Sequence, residues 1–381
     1  MKRILLFTAL YAAVTPLLAN SDPLTSEIAY KADALRNVSG GLKQGSGVLQ
    51  NVDWIFNLDL QELTGIDDSQ LSAYLLWNDS NTFSDRYSGD SQVVSNIDAR
   101  NAFRVLELWY EQRIADALSL RFGLYDLNSE FDAIDTAGLF LNSSHGIGPD
   151  YSQTGQGGPS IFPSTSLAAR LHWQLSPSKT LRYALLDAVP GDPDDSSATR
   201  ISVGGSDGAL HALEYNHVLA AGPRLALGGF LYSKPFNTIV QSATGNTRDG
   251  NSGAYIFVDA PVARGPSGDV NVFARYGRAN ARFNPAKAYF GAGIAWSGFL
   301  SHRRSDQLGL AIASVRLGDD YRQANNSNTH ETTIELTYRA RVSDWLYLQP
   351  DIQYIINPGA EPRLDNSLVL GLRFEALHGL F

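Results

Sequence analysis

The sequence predicts an all-β protein, a transmembrane antiparallel β-barrel of about 16 strands. Three observations predict it. From Asp53 onward one strand candidate follows another, each about 8–10 residues long, between segments rich in Gly, Pro, Asn, Asp and Ser. Within the strands, apolar residues alternate with charged residues of both signs. The connections alternate too, tight at one end and long at the other, as in barrels with short periplasmic turns and long external loops.

Lys2 and Arg3 precede an apolar run from Ile4 to Val14, and the small residue Ala19 follows. That is the layout of a secretory signal peptide over residues 1–19, cut after Ala19. The run is about 11 residues, short of the ~20 that a membrane-spanning helix needs. Residues 20–50 read as a lead-in, with "TSEIAYKADALRNV" as a short helix or coil, and residues 51–381 as the barrel. The chain has no cysteine. An exported chain without disulfides must be held by a core or by a closed sheet. Strands are expected at 53–60, 70–77, 105–113, 118–126, 167–175, 179–187, 209–217, 224–232, 269–277, 288–296, 306–315, 332–341, 345–354 and 367–375. Residues 86–100 and 254–263 each have room for one more, which makes 16 and a barrel wide enough for an aqueous channel.

The tight connections are "IADAL" at 114–118, "SPSK" at 176–179, "LAAGPR" at 219–224 and "VSDW" at 342–345; the long ones span 128–166, 233–253 and 319–329. In 105–113, Glu107, Trp109, Glu111 and Arg113 oppose Leu106, Leu108, Tyr110 and Gln112. In 332–341, Glu335, Arg339 and Arg341 oppose Ile334, Leu336, Tyr338 and Ala340. A soluble sandwich also alternates, with its apolar face inward. The barrel is favoured because Arg greatly outnumbers Lys, which supplies six of the 30 basic residues, and because the polar faces mix both charge signs with Gly. Trp109, Tyr110, Trp173, Trp296, Trp345, Tyr347 and Tyr354 are read as aromatic belts at the membrane interfaces. In hydrocarbon only a closed barrel satisfies every backbone donor and acceptor of a strand, so the charged faces must look inward. Pro350, inside 345–354, predicts a bulge.

Several function classes are excluded. Asp and Glu number 39 against 30 Lys and Arg, and no basic cluster exceeds "HRR" at 302–304, so no nucleic-acid groove is expected. There is no H-E-x-x-H, no G-x-S-x-G, no P-loop, no Rossmann fingerprint and no zinc-spaced cysteine. Glu107 and Glu111 lie about 13 Å apart along a strand, too far for a glycosidase pair. "PGDPDD" at 190–195 has oxygen ligands but reads as a turn. No catalytic residue, metal or cofactor is expected. The inward faces nominate Glu107, Glu111, Arg113, Arg121, Arg170, His172, Arg182, Glu214, Arg275, Glu335, Arg339, Arg341, Asp351, Gln353, Arg373 and Glu375 as pore lining. For any one of them, cross-strand pairing that only holds the wall is the competing reading.

The blocks "LELWYEQRIADALSLRFGLYDLNSEFD", "FLNSSHGIGPD", "IFPSTSLAARLHWQLSP", "LLDAVPGDPDD", "DQLGLAIASVRLGDDYR", "ETTIELTYRARVSDWLYLQPDIQYIINPG" and "LVLGLRFEAL" follow in order over roughly residues 50–375. Together they resemble the OprB family of carbohydrate-selective outer-membrane porins. The resemblance implies passive, carbohydrate-selective diffusion of monosaccharides and related small polar solutes. It also implies a long inward-folding constriction loop. Residues 128–166 are the candidate, with Asp132, Asp135, Asn142, His145, Asp150 and Tyr151 reaching the passage. The implied partners are outer-membrane lipid and lipopolysaccharide, small sugars and the barrel-assembly machinery, with the chain as a monomer or homotrimer. The ending "ALHGLF" departs from the family's plain short strand end. The rival reading is a secreted or periplasmic β-sandwich that binds carbohydrate without forming a channel.

Overall fold

The computed structural model describes residues 23–80, 82–192, 195, 199, 201, 208–220, 222–240, 247–300 and 302–379, without the side chain at position 62. The expected signal segment 1–19 and the last two residues lie outside the described residues. Among those described, sixteen strands close one antiparallel barrel. They are β1 (Leu24–Ser39), β2 (Gly45–Asp59), β3 (Ser69–Asp79), β4 (Ala102–Ala115), β5 (Leu118–Tyr125), β6 (Ser166–Ser176), β7 (Lys179–Asp187) and β8 (Ala209–Val218). The second half is β9 (Arg224–Tyr232), β10 (Ser252–Gly265), β11 (Gly268–Ala279), β12 (Ala286–Ser297), β13 (Gln307–Leu317), β14 (His330–Arg341), β15 (Leu346–Ile356) and β16 (Ser367–Gly379). Each strand pairs with the next, and β16 pairs back onto β1, with Asp33 opposite Arg373 at the seam. A short ladder joins Phe236–Asn237 to Thr247–Arg248 outside the barrel sheet. No helix among the described residues is long and apolar enough to cross a membrane. One closed sheet, rather than two packed ones, replaces the sandwich reading.

The alternation sorts as expected. Leu120, Phe122, Leu213, Leu227, Ile256, Leu310, Leu336, Ile352 and Leu372 point outward and are exposed, while Arg121, Arg170, Glu214, Arg275, Glu335 and Gln353 point inward and are buried. Phe103, Tyr276 and Phe290 lie outward near the long-loop end, and Trp173, Trp296 and Trp345 near the short-turn end. That is the pair of aromatic girdles that a lipid-facing band carries.

Strand number agrees with the sequence, but membership differs. The possible strand at 254–263 is part of β10. Residues 86–100 form no strand. They belong to the connection 80–101, which opens with a helical turn at Ser84–Ser88, and the Asp98 carboxylate accepts from the amides of Phe83 and Ser84. The sixteenth strand is β1, from the segment expected as a lead-in. Its inward positions include Lys31 and Asp33, but Ala29, Ala32 and Ala34 dilute the alternation and Arg36 faces outward.

Three local expectations are corrected. β4 carries a bulge: Tyr74 lies opposite Glu107 and Leu75 opposite Val105, so Leu106 is inserted and turned inward. Trp109 and Tyr347 stand inside the barrel, not in the belts, and receive the guanidinium groups of Arg121 and Arg339 at 3.7 Å from each ring centroid. Pro350 makes no bulge. Its register with β16 runs on unbroken, and the β14 ladder skips it while keeping register on both sides.

Candidate functional site

Two of the long connections fold into the barrel. The larger, residues 126–165 between β5 and β6, is apolar enough to need cover: Leu127, Phe131, Ile134, Leu139, Phe140, Ile147 and Tyr151 are buried against Phe230, Tyr232, Tyr255, Phe257 and Phe273 of the wall. Tyr151 stacks on Phe230 with centroids 4.1 Å apart. This apolar footing draws the loop inward rather than leaving it in water.

Polar ties then fix its path across the lumen. The Asp126 amide donates to Glu107 at 2.9 Å. Arg170 donates to Glu130 at 2.7 Å. The Asp132 amide donates to Glu214 at 2.8 Å, and Arg275 holds the Asp132 carboxylate through Nε at 3.0 Å and Nη2 at 2.7 Å. Arg275 also binds Asp150. On the far wall the amides of Leu141 and Asn142 donate to Glu335 at 2.6 and 3.1 Å, and Asn142 donates to Gln353 at 3.2 Å. The loop therefore runs from β5 to β14 and β15.

The connection 80–101 seats beside it. The amides of Ser91 and Gln92 donate to Glu331 at 2.8 and 2.9 Å. Gln353 donates to the Val94 carbonyl at 2.7 Å, and Arg373 donates to Asn96 at 2.7 Å. The two connections also bind each other, Asn96 N–H to the Leu141 carbonyl at 2.7 Å and Ser143 N–H to the Val93 carbonyl at 2.9 Å.

The predicted residues fall into two groups. Glu107, Arg121, Arg170, Glu214, Arg275, Glu335, Asp351, Gln353 and Arg373 all point inward but are buried, and most of them hold a loop or the wall. Glu111, His172, Arg182, Arg341 and Glu375 keep some exposure, while Arg339, bound to Glu375 at 2.6 Å, is buried. Arg113 stands at the short-turn mouth, 3.6 Å from Asp68. Of the loop residues expected to reach the passage, Asp132, Asn142, His145, Asp150 and Tyr151 are buried instead, because they pin the loop. Asp135 differs from these, with its side chain 51% exposed and 3.7 Å from Arg224. Sequence reasoning missed Glu130, Arg224 and Lys31. Lys31 pairs with Asp53 at 2.9 Å.

Burial and charge act in opposite directions on Glu130, while burial alone acts on His145. Burial pushes the Glu130 carboxyl up, but Arg170, Arg121 and Arg182 outweigh it and hold the group below the usual carboxylate range. Burial lowers His145 to about 3, so it is neutral. Its 3.9 Å approach to Glu335 is thus no ion pair, and the ring packs against Phe140 and Phe273. Among the described residues no group of three or more His, Cys, Asp or Glu is placed to hold a metal ion. Residues 193 and 194 of "PGDPDD" lie outside them.

Glycine on β11 leaves room for the side chains that seat the loop. A Cβ at Gly277 would stand 2.1 Å from Asp150 Oδ2 and 2.6 Å from Arg275 Nη1. Gly277→Val is expected to lift the loop at Asp150 and raise single-channel conductance, while the folded barrel keeps its heat-modifiable migration. Unchanged conductance would show that the loop does not set the opening.

On the inner face, charged side chains of both signs keep partial exposure. Glu111, Glu130, Arg182, Arg224 and Asp135 lie on the β4–β9 side, and Lys31, Arg341 and Glu375 on the opposite wall. Such a face offers donors and acceptors to a neutral polyhydroxyl solute without favouring one ionic sign.

A family model described as "Carbohydrate-selective porin, OprB family" matches residues 43–376. Among known proteins, "Porin B" of Pseudomonas aeruginosa is 23% identical over 401 residues, covering 92% of this chain and 87% of that one. The high-pH structure of Pseudomonas putida OprB superposes with a TM-score of 0.84 at 19% identity, covering 93% of this chain and 94% of that one. The outer-membrane channel DcaP of Acinetobacter baumannii superposes at 0.56 with 11% identity, covering 93% and 96%.

Proposed function

We propose a solute path for this chain, which belongs to the OprB family of carbohydrate-selective porins. It is an outer-membrane diffusion channel with a preference for carbohydrates. The finer reading is that single monosaccharides and similar small polar solutes pass between the pinned loop 126–165 and the wall. They exchange hydrogen bonds with Glu111, Glu130, Asp135, Arg182 and Arg224. One observation supports this: the loop is tied on opposite sides of the barrel, through Glu107 on β4 and Glu335 on β14, with acids and arginines together on the inner face beside it. In the same reading residues 1–19 are removed on export, β16 is presented to the assembly machinery, lipid and lipopolysaccharide surround the barrel, and it stands as a monomer or homotrimer.

Reconstitution in a planar bilayer tests the path. Conductance steps are expected, reduced by added monosaccharide. Arg182→Ala with Arg224→Ala should weaken that block about three- to tenfold, the loss of one or two hydrogen bonds, while conductance persists. No conductance would remove the channel itself. Conductance indifferent to every sugar, in the parent and the double variant alike, would remove the path.

A further inference from the structure

The outer face of the barrel is apolar along most of its height, and on β11–β14 it carries a cluster of basic side chains. Near the long-loop ends of β11–β14, outward side chains form a single row: Arg278 opposite Ala288, Ala288 opposite Arg316, and Arg316 opposite His330. Arg278, Arg316 and His330 are exposed, and Ala288 between the arginines is buried. Lys287, displaced by a register shift in β12, lies at the same level. It shares Asp319 with Arg322, at 3.3 and 3.4 Å. Asp320 adjoins. Among the described residues neither Arg278 nor Arg316 is within ion-pair distance of a carboxylate, although Asp319 is near enough to Arg316 to feel its charge.

The corresponding outward positions elsewhere differ. Trp77 faces Phe103 across β3 and β4, and Leu185, His211 and Leu231 form the row on β7–β9. Directly below the basic row come the exposed rings of Tyr276 and Phe290, which lie opposite each other. Below these are Ala274, Ala292, Ile312 and Ile334, then Val272, Ile294, Leu310 and Leu336. On β11 and β12 the outer wall reads, from top to bottom, as guanidinium, aromatic, aliphatic, while on β13 and β14 the hydroxyls of Ser314 and Thr332, 2.8 Å apart, continue the aromatic row.

We propose that this face binds a phosphorylated glycolipid of the outer leaflet, its headgroup phosphate held between Arg278 and Arg316 and its acyl chains lying on the apolar rows below. The two arginine backbones stand two strand spacings apart, about 10 Å, across a residue too small to fill the gap. Two long side chains can converge on one phosphate there. Planar guanidinium groups bind phosphate oxygens in pairs, and such charge-assisted bonds are the strong ones. Continuity with the lipid-facing band argues for a lipid rather than a soluble anion.

The test uses the whole barrel, refolded in detergent without lipid and titrated with bis-phosphorylated lipid A, bound lipid being counted by native mass spectrometry. Arg278→Gln with Arg316→Gln is expected to weaken binding about tenfold or more. Arg36→Gln, which removes an outward arginine of β1 outside the row, should leave it intact. Dephosphorylated lipid A should bind the parent barrel no better than the double variant does. Conductance and sugar block should stay at parental values, which separates this site from the solute path. Equal binding by parent and double variant would overturn the proposal, as would equal binding of the dephosphorylated lipid. Displacement of the lipid by equimolar inorganic phosphate would reassign the site to a free anion. A double variant that changes the oligomeric state but not lipid binding would reassign the face to contact between copies.

Discussion

Arg275→Ala is expected to open the channel. Arg275 on β11 is buried and holds two buried carboxylates, Asp132 through Nε and Nη2 and Asp150 through Nη1. Both acids belong to the loop 126–165. Removing one partner of a buried ion pair leaves an uncompensated charge and costs about 3–5 kcal/mol. The least costly relief is for the loop to leave the wall and hydrate its acids, because the β11 ladders to β10 and β12 are backbone bonds that the substitution does not touch. The docked-to-undocked ratio should fall about a hundredfold or more. Single-channel conductance should rise above the parental value and sugar block should weaken, with heat-modifiable migration preserved. Arg275→Lys should recover only part of the docking, since an ammonium cannot reproduce the paired contact with Asp132. Parental conductance in Arg275→Ala would mean that the apolar footing alone seats the loop.

Arg373→Ala should weaken the barrel itself. Arg373 on β16 binds Asp33 on β1 through Nε and Nη2, both at 2.7 Å, across the seam where the sheet closes. Asp33 is fully buried and also accepts from Ser95 at 2.6 Å. Stranding that carboxylate costs about 3–5 kcal/mol, and here both partners sit on the wall, so the loss falls on the β1–β16 seam as well as on the seat of the connection 80–101. The midpoint of heat unfolding on unboiled gels should fall clearly. Asp33→Ala with Arg373→Ala should recover part of the loss, with a coupling of about 0.5–3 kcal/mol. Arg363→Ala, which breaks an exposed pair with Glu361, should change little, since such pairs contribute about 0–1 kcal/mol. Additive effects of the two seam substitutions would show that Arg373 and Asp33 do not act together.

Much of the fold was legible because lipid on one side and charge on the other write a period of two into every long strand. Glu335, Arg339 and Arg341 against Ile334 and Leu336 show it without ambiguity, and β14 has them so. β1 hid itself because alanines occupy positions on both faces. Leu106 was misplaced because a bulge shifts the phase of β4 by one residue, and nothing in "RVLELW" marks where. The candidate site was only half legible. Inward direction can be read from alternation, but whether an inward residue meets a solute or a loop depends on contacts up to hundreds of residues away. Leu141 and Asn142 rest on Glu335 at sequence separations of 194 and 193. That is why Asp132, His145 and Asp150 were expected in the passage and are found beneath it.

The seam has a consequence for the order in which the protein becomes watertight. Arg373 joins Asp33 across 340 residues, and the same guanidinium reaches Ser95 and Asn96 of the connection 80–101. Contacts so distant in sequence carry the greatest loop-closure entropy and form late. One side chain thus takes part in both zipping the first strand to the last and seating a piece of the plug. A barrel caught ajar at β1 and β16 lacks that tie as well. Leakage through an unfinished or unzipped barrel should therefore come in one large step, and a narrow, quiet pore is itself a report that the zip is shut.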